Sequence, residues 1–270
     1  ETNQSGIVEE DGQKYKRNTD IKTILFMGVD KDEKADLGNN PGENGQSDSL
    51  NLLVINKVEK TAQILQISRD SMIGIDIYDV TGNKLMTEDG QIALQYAYGD
   101  GEERSCQLTA GKVSELLDGV DVDSYLSLTL DGLVAATDAV GGITVTVPED
   151  YTEIDPSFEK GATITLNGEL AEKYVRKRDI KVLDSNNQRM ERQSQFMKAL
   201  IEKIQGIDDK TEYLSLYQNL DEYMTTNLTA EELEELADYK ISEDIVKVPG
   251  EIISKDGHAQ YLVDNKELKK

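Results

Sequence analysis

Histidine and cysteine are almost missing from this sequence, which has one of each, His258 and Cys106, in 270 residues. A single thiol cannot close an intramolecular disulfide, and it offers no zinc-type spacing. A single histidine in the turn-rich stretch DGHAQ argues against a Ser-His-Asp triad or a Cys-His pair, and reads as a loop residue. Arginine is scarce as well: Arg17, Arg69, Arg104, Arg176, Arg178, Arg189 and Arg192 complete the set. Lysine and arginine together number 29 against 53 acidic residues, a net charge of −24. That balance argues against nucleic acid as a partner, because phosphate-backbone binding needs a basic face. No apolar run approaches the ~20 residues that span a bilayer.

What is present reads as one mixed α/β domain. KTILFMGVD (22–30) is a buried strand closed by glycine and aspartate. KDEKADLGNNPGENGQSDS is then crowded with loop formers. A loop of that length inside a compact domain is usually functional or disordered. LNLLVIN and TAQILQISRD flank the polar turn KVEK and predict a β-hairpin, so the sheet is not purely parallel. QLTAGKVSELLDGV predicts a helix ended by Gly119, with Thr109 as a possible cap. YLSLTLDGLVAATDAVGGITVTVPED predicts strand, helix, a glycine pair and a further strand. LNGELAEKYVRKR and RMERQSQFMKALIEKI predict helices, the second with Phe196, Leu200, Ile201 and Ile204 on one stripe. TAEELEELADYK predicts a capped acidic helix, and KVPGEIISKDGHAQYLV a loop leading to a strand.

Two sets of residues point to chemistry. Four of the scarce arginines, Arg176, Arg178, Arg189 and Arg192, fall in YVRKRDIKVLDSNNQRMERQ. Arginine's planar fork suits bidentate phosphate recognition where a generic solvated face would use lysine. Arg189, Arg192 and Gln193 sit at i, i+3 and i+4, so on a helix they share one face near its first turn, where anions are favoured. The acidic set is Asp30, at the end of the first strand, and Asp48, just before the second. If those strands are neighbours, the two carboxylates meet at one sheet edge, a hard-oxygen arrangement suited to Mg²⁺ or Mn²⁺. The plainer readings remain open, a solvated helix face for the arginines and turn residues for the aspartates. A further arginine, Arg69, stands in QISRDS, at the end of a strand that otherwise reads as core.

The ordered series ILFMGVD, QSDSLNLLVINKVEKTAQILQISRDS, QIALQYAYGDG, LVAATDAVGGITVTVP, LNGELAEKYVRKRD and QRMERQSQFMKAL resembles the motifs of the LytR-CpsA-Psr (LCP) family. The likeness runs from about Lys22 to about Ile204, with a weaker continuation through TNLTAEELEELADY and VPGEIISKDGHAQYLVD. It implies an α/β fold with a single mixed, largely antiparallel sheet sandwiched by helices, and an apolar groove for a prenyl tail. It implies a polar linker over residues 1–20 after a membrane anchor that precedes this chain. A catalytic domain over 21–270 would follow, with its core at 22–204 and a C-terminal extension at 205–270. The implied activity is transfer of a glycopolymer phosphate, such as teichoic acid or capsule, from a polyprenyl-pyrophosphate carrier to peptidoglycan. The setting would be the extracytoplasmic face of the membrane and the wall of a Gram-positive bacterium.

Carried over by motif, Asp30 and Asp48 match the metal-associated aspartates of the family, with Mg²⁺ (or Mn²⁺) as cofactor. Arg69 matches the arginine of its PRD motif, Arg176 and Arg178 its paired arginines, and Arg189, Arg192 and Gln193 its RxxRQ element. The arginines and Gln193 are thereby expected to grip the pyrophosphate. Asp48, Arg69, Arg176, Arg178, Arg189 and Arg192 are the expected catalytic residues. The sequence departs from the pattern at Gln46, near a place often held by arginine, at Ser68 for the PRD proline, and at Asn186 for an aspartate, with Asp184 two residues earlier. The loop between Asp30 and Asp48 is also longer than usual for the family. Two other activities would keep the same arginines: hydrolysis of the polyprenyl pyrophosphate, and non-catalytic binding of a polyprenyl-linked glycan during wall assembly.

Overall fold

A computed structural model describes residues 7–10, 13–30, 41–177, 185–207, 209–255 and 258–269. Arg178, Asp184 and residues 31–40 of the long loop therefore lie outside the described residues. The chain opens with a hairpin, β1 (Ile7–Glu10) and β2 (Gln13–Lys16), in the stretch that reads as linker. Arg17 then pairs with Asp121 at 3.0 Å and with Asp123.

The next elements are β3 (Ile21–Val29), β4 (Ser47–Asn56), β5 (Thr61–Ile67), a second hairpin of β6 (Met72–Tyr78) and β7 (Lys84–Gln91), and a 3-10 helix over Ile92–Tyr98. After them come α1 (Glu103–Leu116), β8 (Ser124–Thr129), α2 (Leu130–Ala139), the paired β9 (Ile143–Thr146) and β10 (Thr163–Leu166), α3 (Gly168–Arg176), α4 (Ser185–Gln205) and α5 (Lys210–Leu220). The chain closes with β11 (Met224–Thr226), α6 (Ala230–Glu235), β12 (Lys240–Lys247), a third hairpin of β13 (Gly250–Lys255) and β14 (His258–Val263), and α7 (Asn265–Leu268).

The central sheet runs β11-β8-β3-β4-β5-β12. Its pairings are antiparallel except β3 with β8 and β5 with β12, so it is mixed and largely antiparallel. Its middle strands are buried on both faces, which is why LNLLVIN is apolar almost throughout. Leu25, Met27, Leu50 and Leu52 pack on one side with α1 and the 3-10 helix. Ile24, Leu53, Ile55 and Ile64 pack on the other with Ile201 of α4 and Leu236. A third apolar cluster joins α2, α3, α4 and the β9–β10 pair around Phe158 and Tyr174. Helices thus cover both faces of the sheet. Cys106 is wholly buried beneath it, and burial pushes its thiol up to about 12.

Several local readings change. The helix α1 begins six residues before Thr109, whose hydroxyl donates to Ser105 O at 2.9 Å, so Thr109 is an interior residue and not a cap. Gly119 does end that segment, with φ +88° and its N–H on Ser114 O. His258 starts β14 and is not a loop residue, because the tail folds back as a hairpin. Thr229 and Glu232 form a reciprocal capping box on the acidic helix α6.

Gly168 is a packing requirement. It opens α3 with its N–H on Asp138 Oδ1 at 2.8 Å, and a Cβ there would lie 2.6 Å from Val134 Cγ1 and 2.8 Å from Val134 O. Helices α2 and α3 approach closely only because that carbon is missing. Gly168→Ala is expected to lower the unfolding free energy by about 1–3 kcal/mol, measured by urea denaturation followed by far-UV circular dichroism.

Candidate active site

Two strand ends and one helix start build the site. Val29 of β3 pairs with Ser47 of β4, and the Asp30 N–H donates to Gln46 O at 3.1 Å, which brings the Asp30 and Asp48 segments to one edge of the sheet. Arg69 stands two residues beyond β5, the neighbour of β4. Its guanidinium donates through Nη1 to Asp48 Oδ1 and through Nη2 to Gln46 Oε1 at 2.8 Å. Gln46 is therefore an acceptor that holds Arg69, in a place where the family often has another cation.

The other carboxylate oxygen of Asp48 faces Arg189 of α4, at 3.7 Å. Asp48 and Arg69 each leave 16% of their side chain exposed, and Arg189 leaves 9%. One carboxylate thus sits between two largely buried guanidinium groups. Arg176, at the end of α3, is more open; it pairs with Glu172 at 3.0 Å and lies 3.8 Å from Asp30.

Arg192 does not join this cluster. It is 1% exposed, its Nε donates to Tyr174 O at 2.7 Å, and its Nη2 donates to Lys177 O. Its guanidinium stacks 4.3 Å over the ring of Tyr151. Burial pushes its pKa below the ordinary arginine value. Gln193 donates to Val175 O at 3.1 Å. Both side chains therefore satisfy carbonyls at the C-terminal end of α3, groups that a helix leaves without internal partners. They hold α3 against α4, and so fix where Arg176 emerges.

The placement of α4 on the sheet rests on three further polar residues. Asn51 and Gln66 are cross-strand partners on β4 and β5. The Ser194 hydroxyl donates to Asn51 Oδ1 at 2.7 Å and accepts from Gln66 Nε2, which also donates to Met190 O at 2.6 Å.

A cavity of about 390 Å³ runs between the sheet and α2, α4 and α5. Asp30, Asp48, Arg176, Arg189 and Gln193 belong to its polar wall. The rest is mainly apolar, and includes the α4 stripe of Phe196, Leu200, Ile201 and Ile204. The stripe that reads as core is thus the lining of a groove, and no sequence signal separates the two roles.

The tail after Ile204 also reaches the site. The Tyr261 N–H donates to Asp70 O at 2.8 Å. Gln91 Nε2 donates both to Asp70 Oδ1 at 2.9 Å and to Ala259 O at 2.8 Å, and that Asp70 oxygen lies 3.7 Å from Arg69 Nε. Asp70 therefore orients Arg69, and the β13–β14 hairpin holds Asp70.

With this geometry in view, comparison with known proteins identifies the lineage. The profile of the LytR_cpsA_psr family matches residues 2–270. The chain belongs to that family. It is 30% identical over 262 residues to Biofilm regulatory protein A of Streptococcus mutans, covering 92% of this chain and 61% of the relative. It is 30% identical over 218 residues to the polyisoprenyl-teichoic acid–peptidoglycan teichoic acid transferase TagU of Bacillus licheniformis, covering 80% and 63%. The chain thus spans less than two thirds of the length of these LCP relatives. The crystal structure of Bacillus subtilis TagV superposes with a TM-score of 0.70 at 25% identity, covering 94% of each chain, so the LCP fold is shared throughout.

The two arginines of the RxxRQ element should separate in their effects. Arg192→Ala leaves the Tyr174 and Lys177 carbonyls without their charged donor and is expected to cost about 2–4 kcal/mol of stability. Arg189→Ala should cost less in the same urea titration, since Asp48 keeps Arg69 and no buried charge is left unpaired. Equal losses would place both side chains in the scaffold.

Proposed function

We propose that this chain transfers a glycopolymer phosphate from a polyprenyl-pyrophosphate carrier to peptidoglycan, at the extracytoplasmic face of the membrane. One observation carries the reading: a mainly apolar cavity ends at a cluster of arginines and aspartates. A lipid diphosphate has that polarity, an apolar chain joined to an anionic head. The TagU and TagV relatives, which are polyisoprenyl-teichoic acid–peptidoglycan teichoic acid transferases, support it.

In this mechanism the prenyl chain lies along Phe196, Leu200 and Ile204, and its diphosphate meets Arg69, Arg189 and Arg176. These guanidiniums are set before the substrate arrives, so they stabilise charge that develops on the phosphoryl oxygens without reorganising. A sugar hydroxyl of peptidoglycan attacks the phosphorus that bears the glycan. The new P–O bond forms as the bond to the bridging oxygen breaks, and polyprenyl phosphate leaves with the electron pair. Phosphoryl transfer depends on positioning and electrostatics, so the scarcity of histidine is no obstacle. Asp30, 48% exposed, is better placed than Asp48 to accept the hydroxyl proton, since two guanidiniums already occupy the oxygens of Asp48.

The donor set also fits a divalent cation. Two carboxylates line one cavity, and among the described residues no group of three His, Cys, Asp or Glu gathers there. Mg²⁺ keeps several waters and takes one or two carboxylates plus substrate phosphates, so a sparse set suits it. Asp30, the more open of the two, would hold Mg²⁺ (or Mn²⁺), with Asp48 able to join it only by releasing one of its guanidiniums, and the cation when bound would neutralise part of the diphosphate charge.

A short polyprenyl-pyrophosphate-linked saccharide and peptidoglycan fragments test the reading, with mass spectrometry of the products. The expected outcome is a joined phosphodiester that forms with Mg²⁺, disappears with chelator, and forms about 10²–10³ times more slowly in Arg69→Ala. Release of free glycan phosphate without joining would indicate hydrolysis. Tight binding with the substrate intact under every metal would indicate a carrier.

Gln91→Leu in the same assay should lower kcat about tenfold, because Asp70 is no longer held against Arg69. KM for the lipid donor should change by less than about threefold, since the apolar cavity is untouched.

A further inference from the structure

The cavity is small for the tail of a carrier that stays in a membrane. An apolar cavity of about 150 Å³ takes one benzene ring, six carbons, so about 390 Å³ takes roughly 15 carbons, or three prenyl units. The apolar wall gives the same measure. From Phe196 to Gln205 the lining follows nine residue steps of α4, about 14 Å of helix. A covalent chain at full extension advances about 1.2 Å per bond, and a prenyl unit adds four bonds, so ~14 Å again holds about three units. About fifteen carbons anchor a molecule to a bilayer only marginally, as a single myristoyl chain does. A carrier that remains in the membrane therefore has a longer tail, and the remainder must leave the cavity.

Its lining reaches the surface in two places. At one stand Asp30 and Arg176, 48% and 45% exposed, where the diphosphate and its glycan are to sit. At the other is Ala237, which is exposed although it lines the cavity. Gln205 Nε2 donates to Leu236 O at 2.7 Å and to Tyr239 O at 3.0 Å, one on each side of Ala237. The 3-10 turn Leu236–Asp238 is thereby tied to the last residue of α4. Arg189 and Gln205 are sixteen residues apart, about 24 Å along the helix, so the two openings stand at opposite ends of α4. The far rim also carries Tyr217 of α5, half-buried like Gln205. An amide and a phenol in place of aliphatic side chains suit a place where an apolar groove meets water, because a sealed apolar end would leave their polar tips without partners.

We infer that the groove is open at both ends: it holds the three prenyl units next to the diphosphate, and the rest of the tail leaves beside Ala237, between α5 and the 3-10 turn. The inference rests on the lipid-donor reading and adds to it which part of the donor the protein recognises. Units beyond the third remain in lipid and gain nothing from the protein, so donors of any greater length bind alike. Specificity for the carrier then lies in its diphosphate and its first three units, and total chain length is not measured.

The test uses the whole chain and the diphosphates of geranyl, farnesyl, geranylgeranyl and heptaprenyl alcohols, which carry two, three, four and seven units, all in the same dilute neutral detergent. Affinity measured by calorimetry should rise at least about tenfold from geranyl to farnesyl, as a further unit is buried. From farnesyl to heptaprenyl it should change less than about threefold, because the added units exchange one apolar setting for another. A second measurement locates the exit. Cys106 is wholly buried with its thiol pushed up to about 12, so Ala237→Cys, at an exposed position, supplies the reactive thiol. Saturating heptaprenyl diphosphate should slow its labelling by a thiol reagent at least about fivefold, and farnesyl diphosphate less than about twofold. Affinity that keeps rising through heptaprenyl, or labelling that heptaprenyl diphosphate leaves unchanged, overturns the open groove and leaves the lipid-donor reading standing. Failure of every diphosphate to bind the wild type at millimolar concentration overturns that reading and the groove with it.

Discussion

Three neutral polar side chains inside an apolar layer determine where everything else in this site stands. Asn51 and Gln66 face each other across β4 and β5, and Ser194 of α4 closes the triangle between them. All three are buried, at 1%, 3% and 1% exposure. Apolar contacts alone would hold α4 to the sheet but would pin neither its rotation nor its register, because one aliphatic ridge replaces another at modest cost. Sliding α4 by one turn, about 5.4 Å, would strand these donors and acceptors, at about 1–3 kcal/mol for each unsatisfied group. The clamp therefore selects one position of the helix. In that position Arg189 reaches Asp48, and the stripe from Phe196 to Ile204 faces the cavity.

The electrostatics follow from that placement. The chain carries a net charge of −24, yet the cavity ends at a cluster of guanidinium groups. Distant surface charge is screened beyond ~8 Å at physiological ionic strength, whereas the arginines act at contact distance. Holding Arg69 and Arg189 close together in a largely buried site would be unfavourable without an anion between them, and Asp48 serves as that anion. Its carboxylate holds both guanidiniums at one place in the fold. The arrangement is pre-organised at little cost, because the repulsion that would spread the arginines is already offset within the protein.

Much of this was legible in the sequence, and the gaps have physical causes. The sequence made a meeting of Asp30 and Asp48 at one sheet edge conditional on their strands being neighbours, and the antiparallel pairing of β3 with β4 meets that condition. Helical periodicity put Arg189, Arg192 and Gln193 on one face, and of the three Arg189 and Gln193 line the cavity. Periodicity could not tell what Arg192 would meet, since i and i+3 share a face only broadly, and that side chain finds the open carbonyls at the end of α3. Nor could an apolar stripe announce a groove, because a helix face packed on a core and one lining a cavity have the same spacing. The parallel edge strand β12 and the hairpin behind it depend on contacts more than a hundred residues apart, such as Val246 with Leu65, for which a local window carries no signal.

Those distant contacts change how the tail is understood. A C-terminal segment that only covered the sheet would leave the Arg69 loop to its own turn hydrogen bonds. Instead, Asp70 is held by its carbonyl through the Tyr261 N–H and by its side chain through Gln91, which is itself bound to Ala259. An arginine beyond the end of a strand has a long, rotatable side chain, and fixing it costs up to about 2 kcal/mol of rotamer entropy. Asp48 and Gln46 hold the tip of that side chain, and Asp70 lies beside its Nε. The hairpin makes that restraint part of the fold, so the order of Arg69 depends on residues nearly two hundred positions downstream.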